Sequence, residues 1–410
     1  MSHHPEAVSQ WTEEVTSHLP HLSKSQAAVL ALWSLGMVLA RSCALPAVAL
    51  FLAAWQGRQE NTVRQQLREF CYEAAAKRGR HRQELAVEPC FVPLLRWVLE
   101  GYTGAQLALA LDATTLGDRF VVLAISVVYR GCALPVAWTI LPAGDKRAWR
   151  PEWLRMLRQL RPAIPRDWTV IVLADRGLYA RWLYRRIVRL GWHPFLRVKR
   201  GGSFRPAGQA RFRPLADFAP APGMRWRGRG TAFASPESRL PCTLLAYWEE
   251  GCKEPWLILT DLPPEAADAG WYGLRAWHPE GPRQGFKLTK RGGWQWQRTR
   301  MTDPARASRL WLAVAVATLW LVRVGGAAEE AIPESTLPAV GEVVGAARRQ
   351  RRATRLRLVS LFRRGWTVIL VALLNHAPLP TGALQPDPWP ALPPLPAHAE
   401  PPAEALPHAA

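Results

Sequence analysis

Two aspartates each follow an apolar run of the kind that forms a buried strand: Asp112 in LALALDATT and Asp175 in WTVIVLADRGLY. A carboxylate that ends a hydrophobic strand lies at the rim of a sheet, where the strand leaves the core. On neighbouring parallel strands, two such carboxylates can share divalent metal ions. Mg²⁺ takes a few carboxylates together with water and phosphate oxygens. A pair of ions about 4 Å apart can activate a water or a 3′-hydroxyl and stabilise the leaving oxygen of an in-line displacement. Further along, a basic segment begins at Tyr272, YGLRAWHPEGPRQGFKLTKRGGWQW, whose cations suit phosphates. Either aspartate alone would more commonly close a turn. Two in this setting point to phosphoryl-transfer chemistry on a nucleic-acid backbone.

The charge balance points the same way. Lys and Arg number 53 against 32 Asp and Glu, a formal net charge of +21. That excess is larger than a solubilising surface needs and implies a polyanion, DNA or RNA before a membrane surface. The six cysteines have no C-x-x-C spacing, so neither a zinc site nor a disulfide framework is indicated, and a reducing cytoplasm fits. The opening residues, MSHHPEAVSQWTEEV, are polar and carry no signal-peptide pattern. The apolar runs Ala27–Ala40, Ala44–Trp55 and Leu310–Val322 are bounded by Arg41, Arg309 and Arg323 and fall short of the roughly 20 residues of a span. They read as buried helices, not membrane segments.

The elements that must position the two aspartates follow from periodicity. Residues 1–101 read as an all-α N-terminal domain, with helices over Gln26–Ala40, Ala47–Gln56 and Thr62–Ala76 and breaks at Pro46 and Gly57. Asn61 or Thr62 is expected to cap the third helix. A DNA-reading helix pair and a plain bundle fit equally. From Leu107 the pattern turns to strands. Leu107, Leu109 and Leu111 alternate with Ala108 and Ala110, so Asp112 shares the small-residue face. RFVVLAISVVYR and ALPVAWTILP complete an antiparallel meander. A helix over Pro151–Leu160, a doubly buried strand Val170–Ala174, an amphipathic helix Leu178–Leu190 and the strand HPFLRVK follow.

That order is the order of a ribonuclease-H-like α/β core with a mixed β-sheet, beginning over residues 102–200. In it, the strand ending at Asp175 lies beside the strand ending at Asp112 and parallel to it. Residues 201–262 read as a β-rich insertion, with strands at Met224–Phe233, Leu240–Glu249 and Pro255–Leu262. Residues 263–325 return to the core, helical over Ala266–Trp277 and Ala305–Val322. Residues 326–376 form a basic C-terminal helical region, with a helix over Ala346–Leu374 that includes RRQRRATRLR. The Pro/Ala-rich stretch 377–410 is expected to be a disordered tail.

The phrases LDATT, ADRGLYA, YGLR and K-x-x-K-R-G-G-W-Q-W-x-x-x-x-M resemble DDE transposases of bacterial insertion sequences. Among these the chain is similar to the subgroup with a Tyr–Arg–Glu–Lys signature in its last catalytic helix. The resemblance covers about Leu107 to Val322. It implies Mg²⁺ or Mn²⁺, cleavage at the ends of a mobile DNA element, and transfer of the freed 3′-hydroxyl to target DNA. It also implies end recognition by the N-terminal helices, excision through a hairpin and a dimer on DNA. Asp112 and Asp175 would be the first two catalytic carboxylates, 175 − 112 = 63 residues apart.

The third carboxylate departs from the pattern of Tyr, two residues, Arg, three residues, Glu, six residues, Lys. Tyr272 and Arg275 fit, but Pro279 holds the next expected position, and counting back from Lys290 reaches Arg283. Glu280 is the acidic residue nearby, 280 − 175 = 105 residues after Asp175, between Pro279 and Pro282, which oppose a regular helix. Either Glu280 joins Asp112 and Asp175 as metal ligand and catalytic residue, or the ligand is lost and the chain is a DNA-binding relic. If Arg283 holds the ligand position, replacing His278–Arg283 with a continuous helix bearing Glu restores metal-dependent cleavage; no gain after that repair rejects the idea.

Tyr272, Arg275, Lys287, Lys290, Arg291 and Arg298, extended by Arg300, are the expected DNA contacts. Trp294 and Trp296 either pack in the core or stack on an unpaired base, worth about 1–3 kcal/mol per base. The run Arg348–Arg357 either contacts phosphates or is a solvated helix face. His193 reads as structural. A simple hydrolytic nuclease and a small basic membrane protein are the remaining rivals.

Overall fold

The computed structural model describes residues 4–78, 82–145, 148–276, 293–332, 359–390 and 392. In chain order its helices are α1 (His4–His18), α2 (Lys24–Ala40), α3 (Leu45–Gln56), α4 (Glu60–Phe70), α5 (Phe91–Leu99), α6 (Arg150–Leu160), α7 (Arg181–Arg189), α8 (Pro304–Glu330) and α9 (Leu361–Leu374). Its strands are β1 (Gln106–Leu116), β2 (Phe120–Tyr129), β3 (Cys132–Pro142), β4 (Thr169–Ala174), β5 (His193–Arg197), β6 (Ser203–Pro206), β7 (Arg213–Pro214), β8 (Arg225–Ala232), β9 (Leu240–Tyr247) and β10 (Trp256–Thr260). The class is mixed α/β. The chain forms two compact units, Met1–Val172 with Leu274–Pro388 and Leu173–Gly273 with Trp389–Ala410.

In the first unit the strand order is β3-β2-β1-β4. β1 pairs antiparallel with β2, and β2 with β3, so the meander forms as its alternation predicts. Helices α1–α5 belong to this same unit instead of forming one of their own, because α2 packs on α8 and α5 on β3. Ser23 and Gln26 close a reciprocal capping box at the start of α2. Gly57, in the left-handed region at φ 64°, ends α3 and leaves only two residues before α4. Helix α4 therefore starts at Glu60 with Gln59 at its cap, ahead of the expected Asn61 or Thr62.

Between Arg309 and Arg323, α8 is apolar on nearly every side, the pattern of a helix enclosed by its neighbours. It packs against α2, α9 and β3. It is long and apolar enough to cross a membrane, yet 94% of its most apolar window is buried inside the protein. The α8–α9 crossing depends on glycine. A Cβ on Gly325 would collide with the Leu361 carbonyl oxygen, and one on Gly365 with that of Leu321. Of the helix expected over Ala346–Leu374, only α9 lies within the described residues; Arg348–Arg357 lies outside them.

Residues 377–388 correct the expectation of a disordered tail. They run extended across the helices, with Leu379 and Leu384 buried. Polar side chains hold the backbone: Gln10 both donates to the Leu379 carbonyl (3.0 Å) and accepts from its N–H (2.8 Å). The Trp320 indole donates to the Pro380 carbonyl (3.0 Å), and Arg323 donates to that of Gly382. Arg130 pairs with Asp387 at 2.9 Å. The composition misleads because this stretch is fixed through its carbonyls, which no hydropathy pattern records.

In the second unit the strand order is β5-β10-β9-β8-β6-β7, antiparallel at each pairing from β5 to β7. The β-rich insertion thus extends the sheet from β5. The short strands β6 and β7 were not legible in the sequence. Gly230 allows β6 and β8 to approach, since a Cβ there would collide with the Arg205 carbonyl oxygen. The segment expected to be helical over Ala266–Trp277 is a series of 3₁₀ turns over Ala269–Ala276.

Candidate active site

Asp112 belongs to the first unit and Asp175 to the second. Asp112 does not end its strand. β1 stays hydrogen-bonded to Leu116, and Asp112 pairs with Ala124 of β2. What ends near Asp112 is burial: Leu107 to Leu111 are buried, and Asp112 is the first half-exposed residue. Apolar alternation stops at Asp112, which suggests a strand end there, whereas backbone pairing continues along Ala113–Leu116. One carboxylate oxygen, Oδ1, accepts from the Ala113 N–H at 3.1 Å.

Asp175 follows β4 directly, as its sequence predicts. Val170 to Ala174 are wholly buried, and Asp175 emerges half-exposed. Its Oδ1 accepts from the Arg176 N–H at 2.7 Å, and its carbonyl accepts from the Leu178 N–H at 2.8 Å. The side chain of Arg176 is held by Glu254 at 2.6 Å, and Glu254 also takes Arg197 at 3.3 Å. The carboxylate of Glu254 thus faces two guanidiniums beside the chain that carries Asp175. Nothing in the sequence pairs positions so far apart, and neither Arg176 nor Glu254 was anticipated.

Tyr272 comes to the same place. Its hydroxyl donates to the carbonyl of Ala174, at 3.5 Å, although 98 residues separate them. It is buried, its ring packed against Trp256 at 5.6 Å between centroids. The hydroxyl expected to meet a DNA phosphate is therefore turned toward the protein, onto the residue that precedes Asp175. Arg275 lies in the 3₁₀ segment; Glu280, Lys287, Lys290 and Arg291 lie outside the described residues.

Trp294 and Trp296 take the packing role in the first unit. Both are wholly buried. The Trp294 indole donates to Thr318 Oγ1 at 2.8 Å, and its ring sits edge-on to Phe362 and near Trp366. Trp296 stacks on Phe120 and meets Trp311 edge-on. Their rings are occupied by protein, so base stacking is set aside for both. The GGWQW run places them inside because Arg119, in the β1–β2 turn, donates to the carbonyls of Gln297, Thr299 and Met301 and anchors the segment. Arg298 and Arg300 stay exposed. His193 pairs with Asp261 at 3.0 Å, a structural role.

Among the described residues, no group of three or more His, Cys, Asp and Glu could hold a metal ion. The expected third ligand, Glu280, is not among those residues. The chemistry of the named donors, carboxylate oxygens without thiolate or imidazole, suits Mg²⁺ or Mn²⁺. No protein-family model and no curated protein matches the chain.

Proposed function

We propose that this chain is a DDE-type DNA transposase with a ribonuclease-H-like core, which cleaves the ends of a mobile element and joins the freed 3′-hydroxyl to target DNA. The observation that carries this reading is the hydrogen bond from Tyr272 to the Ala174 carbonyl. It brings Tyr272, the residue that would open the Tyr–Arg signature, to the residue that precedes Asp175. Burial that stops one residue before each aspartate adds to it, as does the formal charge of +21.

In this reading Asp112, Asp175 and Glu280 would hold Mg²⁺ or Mn²⁺, and the ion would supply positive charge at the phosphoryl oxygens and favour ionisation of the attacking hydroxyl. The chain supplies the rest. The Arg176 N–H fixes the rotation of the Asp175 carboxylate. Glu254 draws the Arg176 guanidinium aside, while the cations of the signature segment, Arg275, Lys287, Lys290 and Arg291, meet the DNA backbone. The protein acts in the cytoplasm as a dimer that brings two element ends together.

The test is an excision assay on the chain's own flanking DNA with Mg²⁺, comparing wild type with Asp112→Ala and Asp175→Ala. End cleavage lost in both variants supports the transposase reading. End binding without cleavage by any of the three identifies a DNA-binding relic, with the Pro279–Arg283 segment as the cause.

A further inference from the structure

We propose that Trp389 and Pro390 are positioning residues for the candidate site, holding Trp271 and through it Tyr272 in place beside Asp175. This rests on the transposase reading for its catalytic consequence, but the positioning itself is a property of the second unit alone.

The segment that carries Tyr272 has little stability of its own. Ala269–Ala276 is built from 3₁₀ turns, whose hydrogen bonds are poorly aligned. Its position must therefore come from what its side chains touch. Trp271 and Tyr272 are both buried. A buried indole N–H needs an acceptor, because leaving it bare forfeits the hydration it had in water. For Trp271 that acceptor is the Pro390 carbonyl, at 2.9 Å.

The rings reinforce the bond. Trp389 packs on Trp271 with centroids 4.8 Å apart and planes at 58°. On its other contacts Trp271 stacks with Phe195 of β5, at 5.9 Å and 23°. Trp271 is thus set between β5 and residues 119 positions later in the chain. The next residue, Tyr272, reaches the Ala174 carbonyl, one residue from the carboxylate of Asp175. Each step from Trp389 to Asp175 is a direct contact or a covalent neighbour. A run of Pro and Trp at the chain's end suits the task, since Pro-fixed extended backbone presents its carbonyls without competing N–H groups.

The test uses the full-length protein with Trp389→Ala, Trp389→Phe and Trp271→Phe, read by hydrogen–deuterium exchange and by DNA cleavage. In Trp389→Ala, amides of residues 269–276 are expected to exchange at least ~10-fold faster while those of α8 are unchanged. Cleavage kcat is expected to fall about 10- to 100-fold, because small misplacements of a catalytic group carry that cost, with DNA affinity unaltered. Trp389→Phe keeps the ring contact and restores both readings; Trp271→Phe, which lacks the indole donor, behaves like Trp389→Ala. Unchanged exchange at 269–276 in Trp389→Ala overturns the proposal. So does faster exchange with wild-type kcat, which would mean packing without positioning. A wild-type chain that cleaves nothing removes the proposed function instead, and exchange alone then decides whether Trp389 holds Trp271.

Discussion

Arg309 carries a buried charge in the second turn of α8 and engages all three of its side-chain nitrogens there. Its Nε donates to the Leu85 carbonyl at 3.1 Å, one terminal nitrogen to that of Cys71 at 2.7 Å, and the other to Glu84. The guanidinium fork serves three acceptors that a single ammonium cannot reach together. Arg309→Met should therefore strand two carbonyls and a carboxylate and lower unfolding free energy by about 2–4 kcal/mol in urea titration, with Arg309→Lys recovering less than half. Glu100 gives a pH signature at the same scale. Burial alone would raise its carboxyl, but hydrogen bonds from His18 and Arg323 outweigh burial and hold it below the usual range. The folded state keeps the charge where the unfolded chain takes a proton. Its contribution is complete above the ordinary value of about 4.3 and is lost as pH falls through the lower folded value. Glu100→Gln should flatten the acid limb of stability, in urea midpoints, as pH falls below the ordinary carboxylate value of about 4.3. At this scale the sequence was most legible where burial ends abruptly, at Asp112 and Asp175, and least where one polar side chain meets a backbone carbonyl far along the chain, as Tyr272 meets Ala174.

Helices α8 and α9 cross where Gly325 faces Leu361 and Gly365 faces Leu321, with backbone on both sides and no flexible side chain able to yield. Gly325→Ala or Gly365→Ala must push the two helices apart, and overpacking of this kind costs about 1–3 kcal/mol. Gly144, which has open space around its Cβ position, is the control, expected to shift the thermal midpoint little. The elements themselves were readable wherever one period persisted. The β1–β3 meander, β4 and α6 fall within a few residues of their expected bounds, since their alternation or continuous apolarity has a single low-energy solution, whereas α8 starts where expected but runs eight residues past Val322, to Glu330. The misses share a cause. β6 and β7 are too short to show a period, Ala269–Ala276 coils more tightly than its helical pattern suggests, and residues 377–388 are bound through carbonyls. Each is decided by tertiary contact, for which composition is a poor witness.

Across the whole chain the positive excess, 53 − 32 = 21, is unevenly committed. Part of it is internal: Arg130 meets Glu329, Glu330 and Asp387; Arg323 meets Glu14 and Glu100; Arg306 meets Glu73. Arg185, Arg189, Arg211, Arg229 and Arg239 instead stand exposed in the second unit, where their charge acts on the surroundings. A duplex gathering such cations sheds condensed counterions, so affinity should fall steeply with salt, by about 0.9 in log–log slope per phosphate neutralised. The run Arg348–Arg357 offers the sharpest division between a DNA contact and a solvated helix. Replacing Arg348, Arg349, Arg351 and Arg352 with Gln should reduce the slope measured by fluorescence anisotropy on duplex DNA by about 3–4 if all four meet phosphates. Because Gln keeps length and helix propensity, stability should be unchanged, which separates lost contacts from lost fold. A slope equal to that of wild type assigns the run to solvent and leaves DNA binding to the signature segment and the exposed arginines of the second unit.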